Sequence, residues 1–183
     1  MPPSLILRGG FSLLVAEIFA PIFCKGSIIL IIGRFERESS PVNVDEKLNK
    51  EQKVTIGHKT DFGWEVYPRG IYDLLKKLQD EYGVNEIIIT ENGCSYGDSP
   101  DENKKVNDIK RIEYHQSHIE QILIAIEEGI PCTGYFAWSL MDNFEWAAGY
   151  SQRFGMVWVD FDTLERIPKE SYYWYQKFLK TQK

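Results

Sequence analysis

The 183-residue sequence is poor in the residues that hold small or metal-dependent folds together. It has three cysteines, Cys24, Cys94 and Cys132, and three histidines. The cysteines are odd in number and share no paired spacing, which excludes a disulfide framework and the common metal-ligand patterns. They read as buried or incidental thiols of a reducing compartment; without a clear export signal the cytoplasm is the default location, and the apolar N-terminal segment leaves secretion open. No Lys/Arg-rich tract is present, and 21 basic against 27 acidic residues leave a net charge of −6. That balance argues against nucleic acid as a partner. No internal repeat occurs at a fixed period. No clean membrane span occurs either. Phe11–Ile32 holds 16 apolar positions in 22, but Glu17 and Lys25 lie inside it and Pro21 interrupts it. A span with both charges buried is costly, and no A-x-A-like cleavage site marks a leader. A membrane partner is therefore not expected.

What is present is aromatic. Of 25 Phe, Trp and Tyr residues, 14 lie between Tyr135 and Phe178, among them four of the five Trp. That quarter of the chain needs flat apolar faces, for packing or for a ligand.

Along the chain, residues 1–40 form an apolar N-terminal segment in which Gly26–Gly33 (GSIILIIG) reads as a short strand. Residues 41–60 form a polar linker, and 61–183 a coherent unit. Pro68–Tyr82 sets Ile71, Leu74, Leu75, Leu78 and Tyr82 on one helical face, with Gly83 as the stop. Asn85–Thr90 is a β-branched strand. Ser95–Asn107 is a polar loop. A helix over Asp108–Glu128 is expected to turn Ile109, Ile112, Ile119, Ile122, Leu123 and Ile126 inward. Cys132–Trp138 reads as a second strand and Lys169–Lys180 as a closing helix. Helix and strand alternate as in a parallel α/β sheet.

In such sheets, polar residues at the C-terminal ends of strands face the site. Glu91 follows the apolar run Ile87–Ile89 after a single residue, Thr90. A carboxylate there is either a paired structural group or a functional one, and position alone does not separate the two. Trp138 opens a second such end, with Asp142, Asn143, Glu145 and Trp146 interleaved among aromatics. Loops of this kind commonly pack on a core. The alternation also suits a sugar, whose hydroxyls bond carboxylates and indole N–H groups while its C–H face lies on an indole ring.

The motifs resemble glycoside hydrolase family 1, the retaining β-glucosidases. Ile88-Ile89-Thr90-Glu91-Asn92-Gly93 is similar to the family's nucleophile motif, and Asp61-Phe-Gly-Trp64-Glu65-Val-Tyr67-Pro68 to a segment upstream of it. Arg111-Ile-Glu-Tyr114 with His118 resembles a helix of the family, and Gly134 to Trp146 its eighth-strand signature. Gly149-Tyr150, Arg153-Phe154-Gly155, Arg166 and Lys169-Glu-Ser171 follow in order. The resemblance covers residues 61–178. It implies a partial (β/α)8 TIM barrel, the C-terminal part with the last two strands and adjoining helices. It makes Glu91 the catalytic nucleophile, which forms a covalent glycosyl-enzyme that water then hydrolyses with retention. Glu145 then bonds the sugar's O4 and O6, and Trp146 donates to a ring hydroxyl. Trp138 is the platform under the ring, Phe154 a wall beside O6, and Trp64 an aromatic at the pocket mouth. Because Glu145 would repel a phosphate at O6, the implied substrate is a non-phosphorylated β-glucoside or β-galactoside. The family implies no metal and no organic cofactor.

The resemblance is incomplete. The family's acid/base Glu lies in an Asn-Glu-Pro motif, whereas the only Asn-Glu pair here, Asn85-Glu86, is followed by Ile87. The family's early Gln, its His-Trp pair and the Tyr that orients the nucleophile are also missing. A truncated hydrolase, inactive on its own, is the resulting expectation, since general acid assistance alone supplies about 10²–10⁴-fold. Two alternatives remain: a non-catalytic sugar-binding or scaffolding fragment, and a fragment tethered to a membrane through Phe11–Ile32.

Overall fold

A computed structural model describes the backbone of residues 27–31 and the whole of residues 58–182. The expectations for Cys24, for the rest of the apolar segment and for most of the 41–60 linker lie outside the described residues. Strand β1 (Ser27–Ile31) is followed by helix α1 (Arg69–Tyr82), strand β2 (Glu86–Asn92), helix α2 (Ile109–Glu127) and strand β3 (Cys132–Ala137). A 3-10 turn over Trp146–Ala148, a ribbon of β4 (Val157–Val159) with β5 (Arg166–Pro168), and helix α3 (Glu170–Thr181) complete the order.

The three long strands form one parallel sheet in the order β1-β2-β3, and β4 pairs with β5 antiparallel. The run Gly26–Gly33 is thus a strand where it is described. It adds a third member to the two strands the motifs implied, pairing Ile28 with Ile87 and Leu30 with Ile89. The described residues make an open α/β sheet rather than a closed barrel.

Helices α1 and α2 cover one face of this sheet. Ile71, Leu75 and Leu78 of α1 meet Ile87 and Ile89 of β2, Ile122 and Ala125 of α2, and Cys132 of β3 in one buried core. Gly83, left-handed at φ 57°, ends α1 and returns its N–H to the Gln79 carbonyl. Leu74 packs at the margin of the core and Tyr82 is exposed.

Helix α2 departs from its expected face. Ile119 and Ile122 are buried, but Ile109, Leu123 and Ile126 are 48, 41 and 42% exposed. Their places are taken by Arg111, His115 and His118, none more than 1% exposed. Apolar periodicity cannot register an inward face made of hydrogen-bonded polar groups. The loop after β2 also begins inside the protein, with Cys94 and Tyr96 packed on Tyr114 in a second small core.

One irregularity in β2 sets up the site. From Leu30 to Ile31 on β1 the partner advances from Ile89 to Glu91. From Tyr135 to Ala137 on β3 it advances from Ile89 to Asn92. Strand β2 therefore carries one extra residue at Thr90–Glu91, a β-bulge, and burial alternates regularly only up to Thr90.

Candidate active site at the C-terminal ends of β2 and β3

The bulge sorts Glu91 and Asn92 to opposite sides of the sheet. Asn92, 1% exposed, falls on the helix-covered side. Its Nδ2 donates to the Tyr114 hydroxyl at 3.2 Å and its Oδ1 accepts from the Tyr135 hydroxyl at 3.0 Å. Glu91 is left half-buried on the other side, where its carboxylate has no hydrogen bond or ion pair with any described residue. Burial raises its pKa above the ordinary carboxylate value.

Glu145 lies close enough to feel the charge of Glu91. A tight turn bonds the Glu145 N–H to the Gly149 carbonyl at 2.7 Å, and the Ala148 N–H to the Glu145 carbonyl at 2.8 Å. Burial raises the pKa of this carboxylate too. The polar edge of the Trp138 indole opposes that rise, and the charge of Glu91 adds to it. Glu91, Trp138 and Glu145 thus share one electrostatic environment. Trp146, next in the chain, is 65% exposed and makes no ring contact among the described residues.

Two close approaches lock these strand ends. The Trp138 N–H donates to the Asn92 carbonyl at 2.8 Å. A Cβ on Gly93 would lie 1.7 Å from the Trp138 carbonyl oxygen, so only glycine fits there. A Cβ on Gly155 would lie 2.1 Å from the Asp142 nitrogen, where the loop after β3 is stitched to the segment leading into β4. The stitches run from Ser139 N–H to the Phe154 carbonyl (3.1 Å) and from Met156 N–H to the Ser139 carbonyl (2.9 Å).

The two remaining aromatics form a separate cluster. The Trp64 and Phe154 rings are 5.7 Å apart, with Phe62 4.8 Å from Trp64. Phe154 is only 3% exposed. It packs behind Trp64 among the described residues. Trp64 keeps part of its face free.

Beneath the site lies a dry ionic network. Asp142 accepts from Arg153 at 2.7 Å, from Lys169 at 3.3 Å and from the Gly155 N–H at 2.9 Å. Arg111 bonds Asp108 at 2.9 Å, Asp98 at 2.8 Å and the carbonyls of Cys94, Phe154 and Arg153. Asp108 also accepts from the Ser171 N–H and hydroxyl at 2.8 and 2.5 Å. Lys169 is fully buried, and desolvation lowers its pKa to about 8. Arg111, Ser171 and Lys169 stood out in the sequence as motif positions, but nothing there showed that they meet. Among the described residues no group of three or more His, Cys, Asp or Glu is placed to hold a metal ion.

A half-buried carboxylate without a partner, at the end of a parallel strand and opposite a second acid and an indole, fits covalent chemistry on a sugar. The sequence model of glycosyl hydrolase family 1 matches residues 29–183. The chain belongs to glycosyl hydrolase family 1. The family match begins within β1, at residue 29, and takes in the 41–60 segment, well upstream of residue 61, where the motif resemblance begins. A short β-branched run carries too little motif information to have shown this.

A 1,4-beta-D-glucan glucohydrolase of Thermotoga neapolitana is 53% identical over 122 residues, covering 67% of this chain and 28% of that protein. The solved structure of a beta-glucosidase from Thermotoga maritima in complex with deoxynojirimycin is similar with a TM-score of 0.66 and 53% identity. There too the match covers 67% of this chain and 28% of the other. A 6-phospho-beta-galactosidase of Streptococcus mutans is 43% identical over 159 residues, 86% of this chain and 31% of that protein. The chain thus spans less than a third of the length of the family 1 relatives it matches.

Proposed function

We propose that this chain supplies the nucleophile and part of the sugar-binding surface of a retaining β-glycosidase site, acting on non-phosphorylated β-glucosides or β-galactosides. The observation that carries the proposal is the Glu91 carboxylate, half-buried and unpaired among the described residues, at the end of β2 and opposite Glu145. An unpaired carboxylate is free to attack the anomeric carbon. Its bond to that carbon forms as the bond to the leaving oxygen breaks, and water later displaces Glu91 from the sugar with net retention. Glu145 and Trp146 bond the hydroxyls in this reading, Trp138 lies under the ring, and Trp64 with Phe154 behind it borders the mouth.

Charge supports the sugar class. Glu91 and Glu145 together would repel a phosphate ester. The cations Arg111, Arg153 and Lys169 are committed to Asp98, Asp108 and Asp142. The likeness to a 6-phospho-beta-galactosidase is therefore not carried over to substrate. The same proposal includes a cytoplasmic location, with which the free thiols of Cys94 and Cys132 agree.

The test uses a leaving group that departs without protonation, because no second catalytic acid is assigned in this chain. The 183-residue protein is incubated with 2,4-dinitrophenyl 2-deoxy-2-fluoro-β-glucoside and digested for mass spectrometry. A single fluoroglucosyl adduct on the peptide bearing Glu91, lost in Glu91→Gln, is expected. Hydrolysis of p-nitrophenyl β-glucoside stays at background. An adduct on another residue overturns the assignment. Glucose binding with no adduct favours the sugar-binding alternative. Turnover of the p-nitrophenyl substrate that Glu91→Gln abolishes overturns the expectation of inactivity.

A further inference from the structure

The Glu91 carboxylate has no described partner of its own, so something else must fix where it points. Its neighbour Asn92 is clamped at every polar atom of its side chain, and the clamp continues one residue further. The Tyr135 hydroxyl that bonds Asn92 Oδ1 also lies 2.9 Å from His115 Nδ1. His115 is fully buried, and its Nε2 has no hydrogen-bond partner.

The proton count along this chain has one consistent solution. A tyrosine hydroxyl has a single proton. If Tyr135 gives it to Asn92 Oδ1, then His115 must donate from Nδ1–H, and Nε2 is a bare lone pair. The reverse polarity, with the Asn92 amide turned over and Tyr135 donating to His115, would put the proton on Nε2. That buries an N–H donor with no acceptor, a rarer and costlier defect than an unpaired lone pair.

We propose that His115, as its Nδ1–H tautomer, Tyr135 and Asn92 form a positioning relay that holds the bulge at Thr90–Glu91 and thereby aims the Glu91 carboxylate. The relay spans three elements: α2 carries His115, β3 carries Tyr135 and β2 carries Asn92. Tyr114 closes the other side of the Asn92 amide, and the Trp138 N–H bonds the Asn92 carbonyl. The same residue therefore ties Glu91 to the strand end from which Trp138 and Glu145 project. His115 serves without changing charge. Burial, and then the nearby Arg111, drop its pKa to about 3, so it is neutral over the working range. The relay gives Asn92, Tyr135 and His115 a role in the reaction proposed above and rests on that reading for its catalytic meaning. Its geometry is tested separately.

Two NMR measurements on the full chain decide it. In protein with 15N-labelled histidine, His115 is expected to be protonated at Nδ1 and bare at Nε2. A proton on Nε2 overturns the relay. In protein with 13C-labelled glutamate, the titration of Glu91 is followed in the wild type, Tyr135→Phe, His115→Leu, His115→Asn and Tyr72→Phe. Tyr135→Phe and His115→Leu release the carboxylate toward water, and its pKa falls toward the ordinary value. His115→Asn, whose amide can donate from nearly the Nδ1 position, restores the wild-type titration. Tyr72→Phe removes a tyrosine hydrogen bond to Glu128, away from the site, and leaves Glu91 unchanged. An unchanged Glu91 titration in folded Tyr135→Phe and His115→Leu makes the network merely structural and overturns the proposal. Neither readout needs a sugar, so failure of Glu91 to take the fluoroglucosyl label counts against the proposed function alone.

Discussion

Arg111→Met tests whether the ionic network under the site acts as a single support. Methionine keeps much of the side chain's volume, so the change isolates the guanidinium. In the wild type that group bonds Asp108 and Asp98 at 2.9 and 2.8 Å, and reaches the Arg153 and Phe154 carbonyls at 3.0 and 3.3 Å. Removing it treats the two carboxylates differently. Asp98 is 18% exposed and can take water. Asp108 is fully buried, keeps only its two bonds to Ser171, and is left as an uncompensated charge. Breaking a buried pair in this way costs about 3–5 kcal/mol. The orphaned Cys94 and Phe154 carbonyls hold the total near the upper part of that range, while the guanidinium's own lost desolvation penalty pulls it down. We expect a net loss of about 3–5 kcal/mol, a large share of the roughly 5–15 kcal/mol that holds a typical domain. Arg111→Lys keeps the charge but loses the fork, and should cost about 2–3 kcal/mol. Urea unfolding followed by tryptophan fluorescence reads the midpoint at constant slope. A loss below about 1 kcal/mol for Arg111→Met refutes the reasoning, since it would mean that Asp108 is satisfied without its cation.

Two further outcomes follow from the same structure. The Lys169 pKa of about 8 lies below the ordinary lysine value of 10.5. Between these two pH values the unfolded chain binds the proton and the folded chain does not, so this residue's contribution to stability rises with pH across that window and its burial penalty is fully present below pH 8. Relative to Lys169→Met, the wild type should gain about 2–4 kcal/mol from pH 8 to pH 10.5 in paired urea titrations, and a flat difference contradicts the shift. Gly93→Ala places a Cβ 1.7 Å from the Trp138 carbonyl oxygen, which forces the ends of β2 and β3 apart. It should cost about 1–3 kcal/mol or more by urea midpoint and reduce fluoroglucosyl labelling of Glu91. A neutral effect on both would show that the strand ends are not locked there.

Much of the scaffold was legible because it follows simple periods. Ile71, Leu75 and Leu78 recur at helical spacing and are buried, and the runs around Ile87–Ile89 and Cys132–Ala137 are strands. The candidate site came differently, through motifs, which singled out Glu91, Trp138 and Glu145; the charge of Glu91 is felt at Glu145, and their roles in chemistry are part of the proposal. What stayed hidden depends on pairing partners. Arg111, Asp108 and Ser171 are separated by up to 63 residues yet bond in the interior. The packing of Phe154 against Trp64 was hidden too, because aromatic identity does not say which face is covered.

The bulge in β2 explains why Glu91 and Asn92 occur in that order. Continued alternation from Ile87 and Ile89 would turn residue 91 toward α2, into the dry space between Tyr114 and Tyr135. A carboxylate there would face two hydroxyls while the nearby Arg111 is already committed to Asp98 and Asp108, which burial makes costly. A neutral amide suits that space, because it offers one donor and one acceptor to two tyrosines and leaves no charge behind. One extra residue exchanges the two: the amide is sealed inside with Tyr135 and His115, and the acid turns out toward Glu145. The apolar run that builds the strand and the acid proposed to do the chemistry thus sit side by side, because the ladder slips once between them. Deleting Thr90 would restore the regular alternation, bury Glu91, and remove both the site and the fit of the strand.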